Sequence, residues 1–566
     1  MSKKTFAVLA AGAAAAGAVY LTGKAKKDAE AQALRKNEQE LSSRDYDGRQ
    51  VYLVGGGLAS LAAAAYLVRD AHFPGKNIHV LEGTPILGGS NDGAGSPQQG
   101  FVCRGGRMLN EETYENFWEL FSSIPSLEQP GRSVTEEILN FDHAHPTCAK
   151  ARLIDRSAVI QDVSSMGFDN ADRMAMTKLL LTDETTLDNL TIEDWFAPHF
   201  FTTNFWYMWQ TTFAFQKWSS LFEFRRYMNR MIFEFSRIET LEGVTRTPYN
   251  QYESVILPLK SWLEGYGVTF KTGCTVSDID FAPGEGITAT ALHLEDGGLI
   301  TLGEGDVCIM TNACMTDSAT LGDLHTPAPV PAEKPISGEL WAKVAAKKPG
   351  LGDPAPFFSK PHETNWESFT VTCRGNKLLK KIEQFSGNIP GSGALMTFKD
   401  SSWLMSIVVA AQPHFKAQDA NTTIFWGYGL YTDHPGDYVH KPMKDCTGEE
   451  MLTELLGQLG WLEEKEALME DVINVIPCMM PYVDAQFQPR AMSDRPAVVP
   501  KGSTNFAMVS QFVEIPEDMV FTEEYSVRAA RIAVYKLFGV KKPVCPVTPY
   551  NKDPKILLKA AQTMYR

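Results

Sequence analysis

Residues 50–68 read QVYLVGGGLASLAAAAYLV, and the order of residue types in this stretch decides the fold. Gln50 to Val54 is a short apolar run with the composition of a strand. Gly55-Gly56-Gly57 breaks it, and from Leu58 to Val68 leucine and alanine dominate, the residues that lose least on entering a helix. After a Pro74-Gly75 turn, Asn77-Ile-His-Val-Leu81 predicts a second strand, which ends at Glu82. A strand, a glycine turn, a helix and a second strand tipped by an acid make a dinucleotide-binding unit. Gly55 permits the tight turn, and beyond Gly56 the absence of a side chain on Gly57 lets the main chain approach a pyrophosphate. The helix that follows aims unpaired N–H groups and its positive dipole end at the phosphates. Glu82 comes at the spacing that lets a carboxylate accept hydrogen bonds from ribose hydroxyls. Ser60, at the last motif position, is small enough for close helix–strand packing.

Other pieces of the same architecture are dispersed along the chain. Val268–Phe270, Thr275–Phe281, Asp306–Thr311 and Asn505–Ser510 read as strands, and Glu523–Leu537 as a long helix. The pattern predicts an α/β protein whose Rossmann-type FAD-binding domain is discontinuous, over 49–155, 265–335 and 470–550. Inserted substrate-binding regions, largely helical, are expected at 156–264 and 336–469, with peripheral helices. FAD rather than NAD is the cofactor expected, because Gly88-Gly89-Ser90 follows the acidic strand and Arg104-Gly105-Gly106-Arg107 comes soon after. Such loops suit a pyrophosphate and an isoalloxazine ring.

The 566 residues carry a net charge of −15, which repels polyanions and argues against a nucleic-acid partner. Nine scattered cysteines, never spaced as CxxC, give neither a zinc site nor a disulfide framework, so no metal is expected and a reducing compartment, cytosol or organelle, is. Residues 1–48 read as an apolar segment, Phe6 to Thr22, flanked by lysines and followed by a polar tether. A signal-anchor, an organelle-targeting sequence and a surface helix all fit; membrane association through residues 1–24 is the expectation. The tail 551–566 predicts an amphipathic helix. Ile556, Leu557, Ala560 and Met564 share one face, and Lys552, Lys555, Lys559 and Arg566 are free to meet anionic headgroups.

Longer strings carry a family resemblance. GGGLASLAAAAYLVRD (55–70), LEGTPILGGSNDG (81–93), RGGRMLNEETYENFW (104–118), TTFAFQKWSSLFEFRRYMNRM (211–231), GVTRTPYNQYESVILPLKSWL (243–263), QPHF (412–415), FWGYGLYTD (425–433) and QFVEIPEDMVFTEEYSVRAA (511–530) resemble the fatty-acid (oleate) hydratases, also called myosin-cross-reactive antigens. The likeness runs from about residue 49 to 550. It implies an FAD-dependent lyase that adds water across a cis double bond of a free long-chain unsaturated fatty acid, and it leaves a homodimer open. It assigns Tyr227 as the proton donor, which Arg225 and Arg226 would make more acidic if they face the site. It places Arg104, Gly106, Arg107, Phe512 and Val513 with the earlier glycines, Ser90 and Glu82 at the cofactor. Where many relatives have a water-orienting glutamate, Met108 stands here. Either Glu111 or Glu112 takes that part from a shifted position, or the flavin and backbone carbonyls hold the water. Of the polar set that anchors the fatty-acid carboxylate, His414 remains, preceded by Gln412, while the upstream positions are Val408 and Ala410. The aromatic stretch Phe201–Phe215 suits either a tunnel wall or a buried helix. A flavin-dependent isomerase or amine-oxidase-like oxidoreductase, and a non-catalytic lipid- or flavin-binding protein, are the rival readings.

Overall fold

The computed structural model describes residues 26–46, 48–91, 93–104, 108–331, 335–392 and 395–566. Val51–Val54 (β1), Ile78–Leu81 (β2), Thr269–Lys271 (β3), Val307–Thr311 (β4) and Phe506–Val509 (β5) form one sheet in the order β5-β4-β1-β2-β3. All four pairings are parallel. The five strands come from segments hundreds of residues apart, so the domain is assembled from dispersed pieces. Strand order reverses at β1, between β2 and β4, and in such sheets the crevice beyond the strand ends at that point is where ligands bind.

Three helices position the site: Leu58–Arg69 (α1), Leu221–Arg230 (α2) and Glu523–Phe538 (α3). From Leu58 to Val68 every residue of α1 is buried, as befits a helix that is apolar on all sides. Its alanines bring the backbone close to its neighbours. Tyr66 meets Tyr535 of α3 edge to face at 6.0 Å, and Ser60 Oγ lies 3.1 Å from Thr311 Oγ1 on β4.

A second, seven-stranded sheet lies in the order 320–321, 472–480, 366–374, 422–429, 406–408, 395–398, 153–154. Its pairings are antiparallel except the last, which is parallel. Region 156–264 is largely helical, with one two-residue strand at Val244–Thr245, whereas 336–469 contributes four of these strands. Segments such as Trp366–Arg374 (WESFTVTCR) are rich in β-branched and aromatic residues that pack well on a pleated surface.

Both chain ends depart from expectation. Residues 26–42 are helical rather than a loose tether. Asn37 Nδ2 donates to Gly539 O at 3.1 Å and Arg44 Nη1 to Phe538 O at 2.7 Å, so this helix docks on the carbonyl-rich end of α3. Membrane association is corrected: among the described residues no helix is long and apolar enough to cross a membrane, and the apolar run Phe6–Thr22 lies outside them. The C-terminal helix Pro554–Met564 packs its Ala560–Thr563 face on the protein, with Ile556 and Met564 against the core, while Leu557 is exposed. Arg173 Nε donates to Met564 O at 2.8 Å. The face expected to meet headgroups is therefore largely used in packing.

Helix α2 is fastened by buried ion pairs. Glu223 lies 2.9 Å from Arg490 and 2.8 Å from Arg495, all three side chains without exposed surface. Arg226 reaches Glu514 at 2.6 Å and Glu184 at 2.7 Å, and Arg230 meets Asp518 at 3.1 Å and Glu115. Burial pushes the Glu223 carboxyl up, but Arg495 and Arg490 outweigh it and hold the group below its ordinary value. Its contribution is thus full above the unfolded value of about 4.3 and is lost as pH falls through the lower folded one. Removing one partner of a buried pair strands the other charge. Glu223→Gln is expected to lower unfolding free energy by about 3–5 kcal/mol in urea titration; a loss under about 1 kcal/mol, the scale of a surface pair, would show that the clamp is dispensable.

Candidate active site

A cavity of about 490 Å³ opens where the carboxyl ends of β1 and β4 meet the second sheet. Its glycines have separate reasons to be glycine. A Cβ on Gly55, whose φ is +97°, would sit 2.9 Å from Thr311 Oγ1, and one on Gly56 would sit 2.5 Å from Leu87 Cδ2. Those two are required by the protein itself. A Cβ on Gly57 would meet only Gly89 Cα, at 3.8 Å, so the space in front of Gly57 is free for a ligand. Helix α1 begins at Gly57 with no side-chain cap, which leaves its first N–H groups and dipole directed at that space. Glu82 is fixed at the tip of β2, accepting from Gly56 N at 2.6 Å and Thr84 N at 2.7 Å. Gly89, Ser90 and Arg104 line the same cavity, and Arg104 Nη1 donates to Thr316 O at 3.2 Å. Free N–H donors, a side-chain-free approach and a carboxylate beyond them fit the phosphates and ribose of a dinucleotide. Gly106 and Arg107 lie outside the described residues. Phe512 and Val513 are corrected: both are buried in the core, Phe512 against Trp341 and Phe357, and it is Ser510 and Gln511 that line the cavity.

Beyond the cradle the cavity reaches α2. Tyr227 lines it, 1% exposed, and its hydroxyl donates to Val520 O at 2.6 Å. Burial, reinforced by the charges of Glu223, Asp518 and Asp484, raises its pKa well above the usual value. The expected acidification is corrected, because Arg225 and Arg226 turn to Glu184, and Arg226 also to Glu514. Met108 lines the cavity, and its carbonyl accepts from Tyr114 Oη at 3.2 Å. Glu111 and Glu112 do not take its place: Glu111 pairs with His143 at 3.1 Å on the surface and Glu112 with Arg237 at 3.0 Å, and neither lines the cavity.

A carboxyl that does line it, besides Glu82, Asp317 and Glu523, is Glu234, which the sequence gives no signal to single out. Backbone bonds from Met231 N to Tyr227 O and from Glu234 N to Met231 O, at 2.8 and 2.9 Å, carry one face through residues 227, 231 and 234, all three on the cavity wall. Glu234 is 4% exposed. Asn110 Nδ2, at 3.0 Å, and Arg237 Nη2 both donate to its Oε1, and Oε2 has no hydrogen-bond donor among the described residues. Burial raises its pKa, outweighing the neighbouring Arg237.

His414 and Gln412 are not on the cavity wall. Gln412 ties backbone, donating to Ala410 O and Ile424 O at 3.0 and 2.9 Å. Burial, with help from the Arg246 charge, pulls His414 down to about 4, so it is neutral near neutral pH. Of the aromatic stretch 201–215, only Thr211 to Ala214 reaches the cavity; Phe205, Trp206 and Trp209 are packed in the core.

A family model described as the MCRA family matches residues 48–535. The chain is 42% identical to a linoleate hydratase of Lactiplantibacillus plantarum, over 91% of this chain and 98% of that one. It is 37% identical to an oleate hydratase of Streptococcus pyogenes serotype M49 (strain NZ131), over 91% and 89%. Among solved structures it resembles a redesigned putrescine oxidase, with a TM-score of 0.53, 10% identity and coverage of 87% of this chain and 99% of that one. A cyclohexylamine oxidase from Brevibacterium oxydans IH-35A gives 0.50, 12%, 87% and 99%. At such identities these two speak for the fold alone.

Gly57 separates fold from ligand. Gly57→Asp is expected to leave the thermal transition within a few degrees of wild type, because the protein has room for the side chain, while flavin absorbance of the purified protein disappears. Wild-type flavin content in that variant would move the phosphate site elsewhere.

Proposed function

The chain belongs to the MCRA family, and from that premise we propose that it is an FAD-dependent hydro-lyase that adds water to a cis double bond of a free long-chain unsaturated fatty acid. The observation that carries the chemistry is the pairing, on one face of α2 and its extension, of a buried phenol and a buried carboxyl toward a single cavity. The oxidoreductase alternative draws on fold likeness only.

Hydration of an isolated alkene needs a proton placed on one carbon and water delivered to its neighbour. Tyr227 supplies the proton. Burial keeps the phenol protonated, and its bond to Val520 O fixes its direction; that bond is released as the proton moves to carbon. Glu234 supplies the acceptor that Met108 cannot. With Oε1 clamped by Asn110 and Arg237, Oε2 is left to orient a water and take its proton as the new C–O bond forms. The proton then returns to the phenol through solvent, so the sum is alkene plus water. Gly57, Gly89 and Glu82 would hold FAD, which would act electrostatically and supply no net electrons, since hydration changes no overall oxidation state. The apolar wall from Leu241, Val244, Leu395, Val408 and Trp426 keeps bulk water from the cationic carbon.

Incubation of the flavin-loaded protein with oleate or linoleate is expected to give a product heavier by one water, with no peroxide and no bleaching of the flavin. Tyr227→Phe should keep its FAD and lose roughly 10²–10⁴-fold in rate; a variant retaining half the activity would refute the assignment. For Glu234 the sign of the pH effect follows from the raised pKa. Activity requires the ionised form, so kcat/KM falls as pH drops through a value above the about 4.3 of a free glutamate. Glu234→Gln should lose both the rate and that acid limb, and an unchanged limb in the residual activity would exclude Glu234 as the base.

A further inference from the structure

Arg152 does not line the cavity, yet every group its side chain binds belongs to a residue that does. The residue is 2% exposed. Its Nε donates to Ile238 O at 3.3 Å, Nη1 to Leu395 O at 2.9 Å and Nη2 to Thr212 Oγ1 at 3.0 Å. Ile238, Leu395 and Thr212 are all on the cavity wall, and they come from three separate segments. Thr212 is near the end of helix Asn204–Phe213, Leu395 opens strand Leu395–Phe398, and Ile238 lies four residues beyond Glu234. Among the described residues no carboxylate pairs with the guanidinium, and burial pulls Arg152 down to about 10. A cation buried against neutral acceptors is costly to keep. What it supplies that an apolar side chain cannot is a planar fork that reaches three acceptors in one fixed geometry.

Two of these segments lead to the phenol and the carboxyl. After Phe213 the chain turns left-handed at Ala214, with φ of +60°, a conformation that a residue carrying a Cβ adopts only at a cost. The turn sends Phe213 and Phe215 to the ring of Tyr227, at centroid distances of 5.3 and 4.9 Å and both edge to face. Contacts from outside hold the strained turn in place. Thr212 accepts from Arg152 and donates to Met208 O at 2.6 Å. Thr211 O accepts from Tyr428 Oη at 2.5 Å, and Thr211 Oγ1 from Thr397 Oγ1 at 3.0 Å. The segment that follows Glu234 is bound to the same short stretch of chain, since Ala149 N donates to Thr240 O at 2.7 Å besides the Arg152 contact at Ile238.

We propose that Arg152 is a positioning residue for the hydration step, whose fork sets Tyr227 and Glu234 relative to each other by holding the turn at 211–215 and the segment after Glu234 together. This rests on the hydratase reading given above. The fork does the holding, and the charge has no partner in the reaction.

The test uses the FAD-loaded full chain with steady-state kinetics on oleate, in wild-type and Tyr227→Phe backgrounds. Arg152→Met keeps the apolar stem, and Arg152→Lys keeps the charge without the fork. Arg152→Met should lower kcat roughly 10- to 100-fold, the scale of a small misplacement of reacting groups, with KM within a few-fold. Groups that act as a unit are not additive, so in the Tyr227→Phe background the same change should cost less than about threefold. Costs that simply multiply would make Arg152 a general support of the fold and overturn the proposal, as would a wild-type kcat in Arg152→Lys, which would give the effect to the charge. A readout free of turnover is the ¹⁹F spectrum of protein carrying 3-fluorotyrosine, in which the resonance absent from Tyr227→Phe belongs to Tyr227. It should shift or broaden in Arg152→Met, and an unchanged resonance would overturn the positioning role. Wild type that hydrates nothing would defeat the hydratase reading, and the resonance would still decide whether Arg152 orders the ring. Should Arg152→Met fail to fold, Thr212→Val removes the contact from the other side: a lowered kcat at unchanged KM supports the proposal and a wild-type kcat overturns it.

Discussion

Glu223 sits between Arg490 and Arg495 with no exposed surface on any of the three side chains, and the placement of the site depends on this contact and its continuation. Arg226 to Glu514 and Arg230 to Asp518 extend it along one side of α2. The effect is to bind a helix from the inserted region to segments 490–495 and 514–518, which lead in and out of the last strand of the parallel sheet. Tyr227, between Arg226 and Arg230, is thereby held with its hydroxyl on Val520 O. Ion pairs this deep gain little net stability over a well-packed apolar core, because both charges are desolvated. They do fix direction, since a guanidinium fork accepts its partner in few geometries.

The same arginine-rich run explains why the acidity expected of Tyr227 is absent. Arg225 and Arg226 neighbour it in sequence, but a helix turns successive side chains about 100° apart, and both guanidinium groups are neutralised by glutamates. The nearby charges that do act on the phenol, Glu223, Asp518 and Asp484, are negative and raise its pKa further. The phenol therefore stays protonated at any physiological pH.

Met108, Asn110 and the buried carboxyl of Glu234 share the cavity wall. Asn110, two residues on from Met108, donates to Glu234 Oε1 and to Gly243 O, so the short strand Leu109–Asn110 that follows the methionine carries the support for the buried carboxyl. Gly243 has no room for a side chain, since a Cβ there would overlap Glu234. The buried carboxyl, its amide support and the bare turn are one arrangement built from residues 110, 234 and 243.

The strand–glycine–helix–strand unit was legible from residues 50–82 because its signals are local: strand and helix propensity, turn chemistry and one acid at a fixed spacing. The later strands 269–271, 307–311 and 506–509 were legible for the same reason. So was the family, whose strings span most of the chain. Sheet order, the second sheet and the docking of helix 26–42 were not, since they depend on partners hundreds of residues away. Residue identity near a motif was a poor guide to the cavity wall. Glu111 and Glu112 are closest to Met108 in sequence yet pair elsewhere, Gln412 spends its amide on backbone, and Phe512 and Val513 face the core. Glu234 looks like an ordinary charged residue in a one-dimensional reading. Whether a charge is buried, paired and turned to a cavity is set only when distant segments close around it, and that is a property of the tertiary structure alone.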